Sequence, residues 1–100
     1  LNFNGINWLE KFLPTLIQYS QNASIYVIDN ASTDDSVQYL QTQFPNITII
    51  QNIENYGFAQ GYNKGLETIE EEIYCLLLEK NSFSKYYLVF FCEQIIKIAV

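Results

Sequence analysis

Apolar residues recur at helical spacing in the first fifth of the chain. They are Trp8, Leu9, Phe12, Leu13, Leu16 and Ile17. Residues three and four positions apart lie on one face of an α-helix, so this pattern predicts an amphipathic helix. Asn7 followed by Glu10 is typical of a helix N-cap, and the helix is expected to end near Ser20. Pro14 lies inside the pattern and should bend the helix, because it cannot donate a backbone hydrogen bond.

Two runs of β-branched and aromatic residues predict strands. The first, Ser24–Asp29, stops at an Asp-Asn turn signal, and the second is Ile47–Gln51. A second helix is predicted between them, with its N-cap within residues 32–35 and Pro45 after its end. The buried stripe of this helix consists of Val37, Leu40 and Phe44.

The second half of the chain opens with an Asn- and Gly-rich segment, residues 52–65. The apolar run Ile73–Leu78 follows and is typical of a parallel strand covered on both faces. Strands alternating with helices predict an α/β fold, a Rossmann-like open and mostly parallel sheet that binds ligands beyond the carboxyl ends of its strands. Phe3-Asn4-Gly5 would be the stump of a further strand, usually the central one, so its loss would leave a gap in the sheet.

Composition narrows the range of possible partners. The hydrophobic fraction of 49% and the aromatic fraction of 16% are those of a folding chain. Five Lys stand against eleven acidic residues, and the net charge of −6 argues against a nucleic-acid partner. The chain has no Arg and no His, so its chemistry must depend on carboxylates, amides or a metal ion.

The length of 100 residues allows one small domain. Leu1 stands where a start Met is expected and the sequence contains no Met, so the chain is interpreted as a fragment. No basic and apolar signal segment opens it, and no apolar run approaches the ~20 residues of a transmembrane helix. A cytoplasmic protein is therefore expected.

Three blocks of sequence resemble a known family. They are Asn-Phe-Asn-Gly at residues 2–5, Val-Ile-Asp-Asn-Ala-Ser-Thr-Asp at 27–34, and Asn-Tyr-Gly-Phe-Ala-Gln-Gly-Tyr-Asn-Lys-Gly at 55–65. Their order and spacing resemble the nucleotide-binding front half of family 2 glycosyltransferases, especially the rhamnosyl-type members. One block alone would be weak evidence for the family, but three blocks in the same order and spacing are a specific signal. The resemblance covers residues 1–82.

The resemblance implies a truncated GT-A domain from an enzyme with two substrates. Such an enzyme transfers a sugar from a nucleotide-diphosphate sugar, here a UDP or dTDP sugar, to a glycan or lipid acceptor with inversion, as in cell-surface polysaccharide synthesis. It uses a divalent metal, Mg or Mn, and can lie at the inner face of the membrane. The acceptor site and the catalytic carboxylate lie further along the chain in the family, so the catalytic residues are unknown here and the fragment alone is expected to be inactive.

Asp29 is the foremost candidate for recognising the donor's base. It stands at the end of a predicted strand, and its carboxylate could accept the ring N–H of uracil or thymine, a proton that cytosine lacks. The alternative is a turn-stabilising acid, which is common after a strand. The predicted nucleotide-binding residues are Asn4, Asp29, Asn30, Asp34 and Asn63.

Several of these polar residues have two interpretations. Asp34 could contact the nucleotide or only stabilise the positive end of a helix. Asn4, beside Gly5, could lie under the nucleotide or form a plain turn. Asn63 is the best polar ligand candidate of its block. Lys64 is either a solvated helix residue or a phosphate partner.

Gly57, Gly61 and Gly65 recur every fourth residue. At helical spacing this places them on one face, where the backbones of a helix and a sheet can approach closely. A packing role is favoured over cradling of phosphate.

The metal motif departs from the family pattern. After Leu76-Leu77-Leu78 the chain continues with Glu79, Lys80 and Asn81, and the resemblance places Glu79 and Asn81 near the positions of the metal ligands. Asn81 is uncharged and Lys80 adds a positive charge, so a weakened metal site is expected.

From Phe83 onward the family pattern ends. Residues 83–100 are interpreted either as an extra strand, since residues 86–91 are strong β-formers, or as a frameshifted tail. For function, the alternative to a glycosyltransferase fragment is a non-catalytic nucleotide-binding remnant. A phospho-acceptor receiver domain is disfavoured, since the paired acids of its first strand have no counterpart.

Overall fold

The computed structural model describes residues 1–70 in full and, as backbone strands, residues 73–78 and 87–92. These residues form an α/β fold in which helices and strands alternate up to the third strand. In chain order the elements are α1 (Ile6–Tyr19), β1 (Tyr26–Asp29), α2 (Ser36–Gln43), β2 (Thr48–Gln51), α3 (Phe58–Leu66), β3 (Ile73–Leu78) and β4 (Tyr87–Cys92). The predicted fold class, a Rossmann-like α/β domain, is confirmed.

Strands β1 and β2 are parallel, with Val27 opposite Ile49 and Asp29 opposite Gln51. On the other side of β1, Asn2 forms a parallel bridge with Asp29. The Asn2 N–H donates to the Ile28 carbonyl at 2.7 Å, and the Asn2 carbonyl accepts from the Asn30 N–H at 2.8 Å. The parallel pairing expected of the predicted central strand is therefore made by Asn2, one residue before the predicted segment Phe3-Asn4-Gly5.

Helix α1 begins at Ile6, so the prediction of an N-cap at Asn7 is wrong. Gly5 occupies the cap position without a side-chain hydrogen bond. The Ile6 N–H instead donates to Asp34 Oδ2 at 3.1 Å, so an acid from another part of the chain replaces the local cap. The helix continues through Pro14 and ends before Ser20, as predicted.

The apolar core lies between α1, β1 and α2. Leu13, Val27 and Leu40 are buried together, one from each element. Half-buried residues from the predicted stripes and strands surround them, namely Leu9, Leu16, Ile17, Phe44, Ile47 and Ile49. This cluster holds both helices against the β1–β2 sheet, so the carboxyl ends of the strands have a fixed support.

Helix α3 packs on β1 through two of the three predicted glycines. A Cβ on Gly65 would lie 2.5 Å from three side-chain carbons of Ile28, and a Cβ on Gly61 would lie 2.9 Å from Asn30 Nδ2. For Gly57 the packing prediction is wrong. Gly57 precedes α3 at φ 78° and ψ −168°, and a Cβ there would meet nothing within 4 Å. Its conformation is one that glycine alone adopts readily.

Strand β3 pairs antiparallel with β4, with Cys75 opposite Phe90. The predicted parallel pairing of Ile73–Leu78 is therefore not observed among the described strands. Antiparallel neighbours need no crossover helix, so a β-forming segment close behind β3 in the chain can supply its partner. Strand β4 lies in the segment 83–100, and the origin of that segment stays a prediction. No helix of the described residues has the length and apolar character of a membrane span.

Candidate functional site

Polar side chains gather at the carboxyl end of β1, between the Asn2 bridge and β2. Asp29, the last residue of β1, is 1% exposed, and Asn30, the next residue, is 2% exposed. Successive side chains of an extended chain point to opposite faces, and these two accordingly take part in separate hydrogen-bond networks. Buried polar groups are stable only when they are bonded, so their partners define what the site can do.

The Asp29 network consists of Asn2, Asp29 and Ser32. Asp29 Oδ1 accepts from Asn2 Nδ2 at 2.8 Å and from the Ser32 hydroxyl at 2.6 Å. Asp29 Oδ2 accepts from the Ser32 N–H at 2.9 Å. The carboxylate therefore lies at the predicted strand end, but its bonds join the N-terminal segment to the turn after β1 and form a buried contact.

The Asn4 loop, formed by Asn4, Thr33 and Asp34, lies beyond the Asp29 network. Asn4 Oδ1 accepts from the Thr33 N–H at 2.7 Å and from the Asp34 N–H at 3.2 Å. The Asn4 N–H donates to the Ser32 hydroxyl at 2.9 Å, which links the loop to the Asp29 network. Asn4 and Thr33 are exposed at this edge, so they are available to a ligand.

Asp34 connects the beginnings of two helices. Its Oδ2 accepts from the Ile6 N–H at 3.1 Å, and its Oδ1 accepts from the Ser36 N–H at 2.9 Å. Partial burial raises the pKa of this carboxyl, but hydrogen bonds from Ser36, from Ile6 and from its own N–H outweigh burial and lower the pKa below its ordinary value. Asp34 thus acts as a charged cap for both α1 and α2.

The Asn30 network joins β1 to the loop between β2 and α3. Asn30 Nδ2 donates to Asn55 Oδ1 at 2.8 Å and to the Gly57 carbonyl at 3.0 Å. Asn30 Oδ1 accepts from Asn52 Nδ2 at 3.0 Å and from the Tyr56 N–H at 3.2 Å. All four hydrogen-bonding positions of this amide, two N–H donors and two oxygen lone pairs, therefore have a protein partner, so Asn30 fixes the start of α3.

Two residues at this edge have left-handed backbone conformations that side chains disfavour. Asn4 has φ 49° and Ala31 has φ 61°. Asn tolerates this region because its side chain can bond locally, whereas Ala has no such compensation. Ala31 separates the buried pair from Ser32, so the surrounding hydrogen bonds hold a strained residue at the mouth of the site.

The structure brings four of the five predicted nucleotide-binding residues to one edge. They are Asn4, Asp29, Asn30 and Asp34. Asn63 lies on α3, half-buried, and the hydrogen bonds of the two networks do not include its side chain. The predicted metal ligands Glu79 and Asn81 lie outside the described residues. Within the described ranges no group of three His, Cys, Asp or Glu side chains could hold a metal ion.

Sequence reasoning missed the partners that build the site. Asn2, Ser32, Asn52 and Asn55 each bond to Asp29 or Asn30. A signal was present for Ser32, because a hydroxyl three residues after a strand-end Asp is typical of a side-chain-stabilised turn. For Asn52 and Asn55, only the density of amides after β2 indicated that they could satisfy a buried polar group.

A parallel α/β sheet whose polar residues gather beyond the strand ends defines the class of domains that bind ligands at that edge. Within this class the family follows from the sequence, since residues 2–79 match the family described as Glycosyl transferase family 2. The chain belongs to that family, which implies a nucleotide-sugar donor and an acceptor. The comparisons with curated proteins and with solved structures found no match.

Proposed function

We propose that this chain is the donor-binding part of a glycosyltransferase that uses a UDP or dTDP sugar and transfers it, with inversion, to a glycan or lipid-linked acceptor. The observation that carries the proposal is the meeting of Asn4, Asp29, Asn30 and Asp34 at one sheet edge in a member of this family. A rhamnosyl-type parent and a cytoplasmic location, at or near the inner membrane face, belong to the same proposal.

The base is proposed to lie above Asp29. A carboxylate accepts the ring N–H of uracil or thymine in a charge-assisted hydrogen bond, which cytosine cannot donate. Among residues 1–70, Asp29 Oδ2 accepts from one donor, the Ser32 N–H, so this oxygen can accept a second hydrogen bond. Asp29 is 1% exposed, so base binding requires the covering side chains of Asn2 and Ser32 to move aside.

Calorimetric titration with UDP and CDP tests the role of Asp29. Wild type is expected to bind UDP more tightly than CDP by about tenfold, the value of one charge-assisted bond of ~1.4 kcal/mol. Asp29→Asn should abolish this preference, and Asp35→Asn, an exposed control with the same charge change, should keep it. An unchanged preference in folded Asp29→Asn would refute direct recognition by this carboxylate.

A divalent ion, Mg or Mn, is proposed to accompany the donor. When bound, such an ion neutralises the charge of the diphosphate leaving group. Glu79 and Asn81 are the residues proposed to hold it, and the uncharged Asn81 would make the affinity low. The dependence of UDP binding on added Mn²⁺, compared between wild type and Glu79→Gln, measures this contribution.

A non-catalytic nucleotide-binding remnant is the second proposal. The altered acidic motif, with Lys80 between Glu79 and Asn81, favours it, because leaving-group stabilisation depends on the metal. Mn²⁺-dependent hydrolysis or transfer of a UDP sugar by this chain would contradict the remnant hypothesis, whereas UDP binding without turnover would support it.

A further inference from the structure

A nucleotide diphosphate is an anion, and the edge that would bind it is rich in acidic and amide side chains. In residues 1–70 the lysines are Lys11 and Lys64, and no Arg occurs. A cation near the strand ends would be needed to attract the diphosphate. The positions of the two lysines decide which of them can do so.

Lys64 is the exposed lysine of α3. It lies in the second turn of the helix, and side chains on a helix point toward its N-terminus. Its Nζ lies 5.9 Å from the centroid of the Tyr56 ring. The backbone N–H of Tyr56 donates to Asn30 Oδ1 at 3.2 Å, so the residue whose ring lies near the ammonium is fixed to the Asn30 network through its backbone.

Lys11 is held differently. Its Nζ lies 5.9 Å from the Trp8 ring and 5.1 Å from the Phe12 ring, and both rings belong to α1 itself. These contacts place the ammonium on the outer surface of that helix and connect it to neither network. Lys11 therefore serves as a matched control, an exposed lysine over aromatic rings away from the Asn30 network.

We propose that Lys64, positioned by the Tyr56 ring, binds the diphosphate of the donor nucleotide. The inference rests on the proposed function and adds a residue that separates phosphate binding from base recognition. The ring attracts the ammonium through its π-face, which limits the conformations of a long side chain that would otherwise be free in solvent. Binding of the diphosphate then needs little further ordering of this lysine.

Calorimetric titrations with UDP and with uridine test this assignment, because only UDP carries the diphosphate. Lys64→Gln is expected to weaken UDP binding about tenfold and to leave uridine binding unchanged. Tyr56→Leu should weaken UDP binding by a smaller factor, about threefold, since the lysine remains but loses its ring. Lys64→Arg should retain most of the wild-type affinity for UDP. Lys11→Gln should leave the affinities for both UDP and uridine unchanged.

The outcomes separate this assignment from the proposed function. If wild type binds UDP and Lys64→Gln, folded by circular dichroism, binds it equally well, the role of Lys64 is refuted and the nucleotide site stands. An equal loss of uridine and UDP affinity also refutes it, because the lysine then only supports the fold. If wild type binds neither UDP, dTDP nor uridine, the proposed donor site itself is wrong.

Discussion

Asn30→Asp is the sharpest perturbation of the site, because it changes one buried atom and keeps the side-chain shape. The amide nitrogen of Asn30 donates to Asn55 Oδ1 at 2.8 Å and to the Gly57 carbonyl at 3.0 Å. A carboxylate cannot donate, so both hydrogen bonds are lost. The new oxygen then faces the two oxygen atoms that accepted them. Each lost bond costs ~1 kcal/mol, and the new buried carboxylate oxygen, which has no donor, costs a further ~1–3 kcal/mol. The expected loss in the free energy of unfolding is thus ~3–5 kcal/mol.

Urea denaturation at neutral pH, followed by circular dichroism, measures this loss. Asn22→Asp is the matched control, since it makes the same chemical and charge change at an exposed residue after α1. That control should shift the free energy of unfolding by less than ~0.5 kcal/mol. A small domain has only ~5–15 kcal/mol in total, so both variants are compared in a stabilising osmolyte if Asn30→Asp is unfolded without it.

The pH dependence gives an independent check. Burial among acceptors raises the pKa of the introduced carboxyl above its value in the unfolded chain. The loss in the free energy of unfolding is therefore complete above the folded-state pKa. It becomes smaller as the pH falls below that pKa, because the neutral carboxyl can again donate one hydrogen bond. Equal urea midpoints for Asn30→Asp and Asn22→Asp at neutral pH would refute the view that the Asn30 amide holds β1 to α3.

Two further predictions concern the ends of the helices. Asp34→Ala should lower the free energy of unfolding by ~1–2 kcal/mol, because two helix beginnings lose their acceptor, while Asp35→Ala next to it should change it by less than ~0.5 kcal/mol. Hydrogen bonding lowers the Asp34 pKa, so the effect of Asp34→Ala in urea titrations should be complete above pH ~4 and disappear as the pH falls further. Gly57→Ala should cost ~1–3 kcal/mol in thermal unfolding although its Cβ would enter open space, since φ 78° and ψ −168° suit glycine alone. Gln60→Ala on α3 should be neutral, and a Gly57→Ala variant as stable as wild type would contradict the backbone argument.

The elements of the β1–β2 half could be predicted from sequence because each depends on local pattern. The apolar stripe containing Leu13 predicted α1 and its end near Ser20, and Leu40 marked α2. Both predictions hold because any helix that buries one face shows this periodicity, whatever it packs against. The N-cap of α1 could not be predicted, because its acceptor, Asp34, lies 28 residues away in the chain. The pairing of β3 was also missed, since an apolar run does not specify the direction of its neighbour.

The same limit applies to the site, where sequence predicted which residues lie at the strand end but not what their side chains contact. Sequence placed Asp29 and Asn30 correctly at the end of a strand, but it could not reveal that both side chains are buried, at 1% and 2% exposure. Burial depends on Asn2 and Ser32 covering one side and on residues 52–57 covering the other, and these contacts join distant segments. Asn4 and Thr33 are exposed beside this pair, so a nucleotide that binds at this edge, as proposed, would meet them before the buried side chains.

This arrangement assigns different tasks to buried and exposed groups. The buried pair holds three segments of chain at one sheet edge, so its substitution should reduce stability and binding together. The exposed Lys64 lies near the Tyr56 ring, and the backbone of Tyr56 bonds to Asn30, so substitution of Lys64 should reduce UDP binding alone. Comparing Asn30→Asp with Lys64→Gln in unfolding and in UDP titration therefore distinguishes a scaffold residue from a ligand-binding residue, and the hypothesis fails if both variants lose stability in proportion to affinity.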